Sequence, residues 1–84
     1  MCRNITPLRG LEPPATSEEV EAAARQFVRK VSGVTTRSAA TEPAMEKAVA
    51  AIALATTELL ATMPPRRQPP ATLPPLRRLR QPAT

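Results

Sequence analysis

The chain has 84 residues, one small domain at most, and its 12 basic residues outnumber its 7 acidic ones for a net charge of +5. With no histidine, a single cysteine (Cys2), a single aromatic (Phe27) and two glycines (Gly10 and Gly33), it excludes a disulfide framework, a self-contained zinc finger, His-based catalytic sets and glycine-rich phosphate loops. The longest apolar run, Ala48 to Ala55, falls far short of the roughly 20 residues that span a bilayer, and no apolar leader opens the chain, so a cytoplasmic protein without a transmembrane segment is expected.

Residues 1–15 read as irregular, because Pro7, Gly10, Pro13 and Pro14 block a long helix. Ile5, Leu8 and Leu11 sit three apart, which predicts that this segment lies against something apolar. A helix should then run from Ser17 to Ser32. Thr16 with Glu19 three residues later forms a capping box, and Glu18 and Glu19 suit the positive end of the helix dipole. Val20, Ala24, Phe27, Val28 and Val31 make one stripe of a 3.6-residue period and are the expected core face. Glu21 and Arg25 form an i, i+4 pair, Arg29 and Lys30 suit the negative end, and Gly33 is placed to terminate the helix in the left-handed region.

Val34 to Ala40 reads as a connector, and Thr41 as the N-cap of a second helix that reaches Met63, with Pro43 in its first turn. Met45, Ala48, Val49, Ile52, Leu59, Leu60 and Met63 should face inward, and Lys47, Ala50, Leu54, Thr57 and Glu58 outward. Leu54 breaks that pattern; it is either a tolerated surface leucine or part of a second contact face. Neither helix suits a base-reading role, since acids open both of them where a DNA-reading helix needs donors.

The charge divides along the chain. All seven acids precede Met63, whereas Arg66, Arg67, Arg77, Arg78 and Arg80 follow it with no acid among them. Paired prolines end the second helix at Pro64 and Pro65 and recur through the tail, which favours polyproline II and disorder. The expected division is thus a helical domain over 1–63 and a Pro/Arg-rich tail over 64–84. The five tail arginines are candidates for polyanion binding to non-specific nucleic acid or an acidic surface; with no aromatic beside them, such binding would be backbone-driven and salt-sensitive. The competing reading is a solubilising extension.

Cys2 has three readings. It is an ordinary or weakly redox-sensitive thiol, an interface thiol or ligand of an intermolecular metal or disulfide, or a nucleophile activated by a free α-amine and Arg3 once Met1 is removed. No oxyanion hole is evident in the sequence to support the last of these.

Met1–Ile5 (MCRNI), Glu12–Thr16 (EPPAT) and Gln26–Gly33 (QFVRKVSG) occur in an order that resembles a family of small uncharacterised bacterial proteins, a domain of unknown function. The resemblance covers roughly residues 1–63, leaves the tail outside, and implies a compact helical cytoplasmic protein with no activity to carry over. Where the family pattern has Asn, an aromatic and Phe, this chain has Thr41, Met45 and Val34. The match makes Cys2, Arg3 and Asn4 the candidate functional block, since a helix hairpin alone requires none of them.

The expected fold is all-α: a two-helix antiparallel hairpin, an irregular N-terminal segment packed on it, and a disordered tail. Two helices bury one thin core, which a homodimer or a larger protein partner would complete. The expected function is a non-enzymatic interaction module without cofactor or metal. The alternatives are a thiol-based redox or ligand-binding protein acting through Cys2, and a nucleic-acid accessory protein acting through the tail.

Overall fold

The computed structural model describes residues 4–36, 38–64 and 73–80, the side chains of 78–80 excepted. Three helices follow in order: α1 (Ser17–Ser32), α2 (Glu42–Thr62) and α3 (Pro75–Arg80). Among the described residues there is no strand. The helical hairpin of α1 and α2 and the N-terminal segment laid on it are as the periodicity predicts.

The signals at both ends of α1 act as their chemistry dictates. Thr16 has extended backbone, its hydroxyl accepts from the Glu19 N–H at 3.2 Å, and the Glu19 carboxylate accepts the Thr16 N–H at 2.9 Å. At the other end Gly33 takes φ 73°, where a side chain would be strained, and its N–H donates to the Arg29 carbonyl at 2.9 Å.

The start of α2 lies where expected, by a different mechanism. Thr41 has αR backbone and makes no side-chain cap, so its hydroxyl is not aimed at the free N–H groups of the helix. It pairs instead with the Ser38 hydroxyl at 2.9 Å, while the Ser38 carbonyl takes the Glu42 N–H at 2.9 Å. A turn built on Ser38 thus launches α2, and Pro43 occupies the first turn, where no N–H is needed.

Two apolar clusters hold the layers together. Ala24, Val28 and Val49 pack with Met45, Ala48 and Ile52 toward the connector end of the hairpin. Leu8, Leu11 and Val20 pack with Ala15, Leu60 and Leu73 at the other end. Ala53 belongs to both. The pairing of Val28 with Val49 and of Val20 with Leu60 makes the helices antiparallel. On one edge of the hairpin the Arg25 guanidinium bridges to the Glu46 carboxylate of α2 and, at 3.4 Å, to Glu21 one turn back.

Several expected core residues are not in it. The burial stripe of α1 is narrower than the sequence suggests: Val20, Ala24 and Val28 are buried, whereas Phe27 is 49% exposed and Val31 71%. A single facing helix covers only about a third of α1, and Phe27 lies one residue before the centre line that Val28 occupies. Leu59 is exposed on α2 for the same reason, Met63 is exposed just past the end of α2 as its C-cap, and Ile5 is exposed where Leu8 and Leu11 are buried. Leu54, 63% exposed, faces outward as its position predicts.

The described part of the tail lies against the hairpin. Leu73 enters the cluster of Leu8, Leu11 and Val20, Pro74 is buried, and residues 75–80 coil into α3. The sequence reading placed these residues in a separate polyproline segment, but Pro75 at the first position of α3 needs no N–H and starts the helix without cost.

Candidate functional site

Of the candidate block, Cys2 and Arg3 lie outside the described residues. Asn4 is held on α1, its backbone N–H donating to Gln26 Oε1 at 2.6 Å. Asn4 thus lines an open groove of about 690 Å³ whose walls also include Gln26, Arg29, Lys30 and Leu76. Further along, Arg9 fixes the segment to the end of α2 through its Nε–H and the Pro64 carbonyl at 2.9 Å.

The candidate polyanion arginines divide in the same way. Arg66 and Arg67 lie outside the described residues, and Arg78 and Arg80 belong to α3 without described side chains. Arg77 is already occupied. Its Nε and Nη2 donate to the two oxygens of Glu19 at 3.2 and 3.1 Å, Nη1 to the Pro13 carbonyl at 2.7 Å, and Nη2 to the Pro14 carbonyl at 3.2 Å. The side chains of Glu19 and Arg77 are 2% and 11% exposed. Burial disfavours the ionised Glu19 carboxylate, but the Thr16 N–H and the Arg77 guanidinium outweigh it and hold the group below the usual carboxylate range. Sequence reasoning gave Glu19 only its capping role. No local signal marks the rest, since Arg77 lies 58 residues away along the chain.

A third feature is apolar. On the side of the hairpin away from the Arg25–Glu46 bridge, a cleft of about 260 Å³ runs between the helices, walled by Ile5, Ala23, Ile52 and Thr56. Phe27 stands one turn beyond Ala23 on α1 and Leu59 three residues beyond Thr56 on α2, so in these antiparallel helices they flank opposite ends of the cleft. Val31 continues the row of Phe27. Four large apolar side chains, Ile5, Phe27, Val31 and Leu59, thus stand exposed along this side. At its N-terminal margin Thr6 Oγ1 is buried without a hydrogen-bond partner.

Among the described residues no helix is long and apolar enough to cross a membrane, and no cluster of acids and cysteine could hold a metal ion. A family model described as an uncharacterised conserved protein (DUF2277) matches residues 1–83. The match reaches through the Pro/Arg-rich segment, beyond the 1–63 extent over which the sequence blocks carry the resemblance. No curated protein and no solved structure matches the chain.

Proposed function

The chain belongs to the DUF2277 family of uncharacterised conserved proteins, and from that premise we propose that it is a non-enzymatic helical interaction module that self-associates through the apolar side of its hairpin. The observation that carries this reading is the position of Phe27. The chain's only aromatic residue is half exposed, in a row with Val31 and beside a cleft that Ile5 lines and Leu59 flanks.

A large apolar side chain stabilises by about 1.5–3 kcal/mol when fully buried, and much of that gain is unrealised at these four positions in a single chain. The core is correspondingly thin: its buried hydrophobic members are Leu8, Leu11, Val20, Ala24, Val28 and Val49. A second copy placed on the same face would cover Phe27 and Val31 with like surface and close a four-helix arrangement. No charged residue lines the cleft itself.

The rival readings have less support. The thiol reading rests on Cys2, for which there is sequence alone. The polyanion reading loses one of its five arginines to Glu19.

Sedimentation equilibrium of the full chain over a wide concentration range tests the proposal. Dimer is expected to build up with concentration, and Phe27→Glu to shift the population to monomer while circular dichroism keeps its helical signal. A chain that stays monomeric at every concentration would overturn it.

A further inference from the structure

Among the described residues, Glu19 is the charged group that the fold takes out of water. What surrounds it is a receptor for one particular chemical group. Its two carboxylate oxygens face the Nε and Nη2 edge of a guanidinium, and the carbonyls of Pro13 and Pro14 take one N–H each from Nη1 and Nη2. Because Pro14 and Ala15 lead straight into the Thr16 cap, those carbonyls are held by the same turn that starts α1. The Thr16 N–H also donates to Oε1 of this carboxylate, at 2.9 Å. A planar fork of donors matches this set of acceptors, whereas an ammonium would reach only part of it. One turn away, Leu8, Leu11 and Val20 receive Leu73, four residues before Arg77.

The occupant is held by its docked side chains and not by helix strength of its own. The α3 helix has six residues, too few to be stable alone in water, so docking is what holds it helical. Its described attachments are Leu73, buried Pro74, Arg77, and Leu76 at the groove on α1, and the sequence between α2 and the arm carries Pro65, Pro69 and Pro70.

We propose that the Glu19 carboxylate with the Pro13 and Pro14 carbonyls is a guanidinium-recognition site, built for a leucine followed four residues later by an arginine, and that the 73–80 arm is its exchangeable ligand. The site accepts that arm as a separate peptide once the chain's own copy is expelled. This inference stands apart from self-association through Phe27, which uses another side of the hairpin.

The test uses the full chain carrying Arg77→Glu, in which the arm is repelled from Glu19, and a fluorescein-labelled peptide of residues 73–80. Fluorescence anisotropy should give saturable binding at least tenfold tighter to this variant than to the wild-type chain, whose own arm competes. Adding Glu19→Gln to the variant, or Arg77→Gln to the peptide, should each weaken binding at least tenfold. If the variant loses its helical signal, the peptide should restore it. Equal binding by the wild-type and variant chains would overturn the proposal, as would undiminished binding of the Arg77→Gln peptide, or an unfolded variant that the peptide does not refold.

Discussion

Thr16 and Phe27 show how differently single residues declare themselves. The Thr16 hydroxyl satisfies the Glu19 N–H at 3.2 Å, and removing it leaves that donor without its cap. Thr16→Ala should therefore lower stability by about 0.5–2 kcal/mol, read from urea or thermal unfolding, while Ser17→Ala changes little. The reverse order would place the helix start one residue later. Phe27 behaves otherwise. Burial of the sole aromatic would make Phe27→Ala cost about 3–5 kcal/mol, but at 49% exposure much of that loss is already incurred in the single chain. The expected cost is about 1 kcal/mol at concentrations where the chain is monomeric, and it should grow as concentration rises. A large, concentration-independent loss would mean that Phe27 is packed within its own chain.

At the level of elements, α1 was legible because its start, stripe and stop are local: capping box, 3.6-residue period and terminal glycine all lie within the segment Thr16–Gly33 that they define. The second helix was legible in extent, yet its launching turn at Ser38 was not, since Thr41 has the right chemistry but the wrong backbone for a cap. Least legible was the pairing of Glu19 with Arg77, because 58 residues separate the partners and nothing in either neighbourhood names the other. That pairing gives α1 a pH response. Glu19 is held below the usual carboxylate range in the folded chain, so its ionisation stabilises the fold fully above the unfolded value of about 4.3. The contribution is lost as pH falls from there through the lower folded value. Urea midpoints between about pH 7 and pH 2.5 should drop along this acid limb, and Glu19→Gln should be less stable at neutral pH with a flatter limb. An unchanged limb in the variant would assign acid sensitivity to other carboxylates. The Arg25–Glu46 bridge, with 29% and 45% exposed side chains, is expected to add only about 0.2–1 kcal/mol.

For the molecule as a whole, the issue is where its stable unit ends. Charge and proline content put a boundary after Met63, and a body that folds alone would lose nothing when the rest is removed. The contacts of the described arm lead to a different expectation for that removal. Leu73 fills the cluster formed by Leu8, Leu11 and Val20, and Arg77 neutralises a carboxylate that the N-terminal turn buries. A chain ending at Pro64 would leave Glu19 without its guanidinium, and breaking a buried pair from one side costs about 3–5 kcal/mol. Relaxation of the turn and entry of water would lower that figure, whereas the uncovered Leu11 would add to it. For a chain with so thin a core, such a loss is a large share of total stability. Truncation after Pro64 is therefore expected to lower the unfolding midpoint clearly and to raise amide exchange first in residues 8–20, where the arm docks. Arg77→Ala in the full chain should reproduce part of the effect with Leu73 still in place. If the truncated chain melts like the full one with unchanged exchange at residues 8–20, the hairpin is self-sufficient and the arm only rests on it.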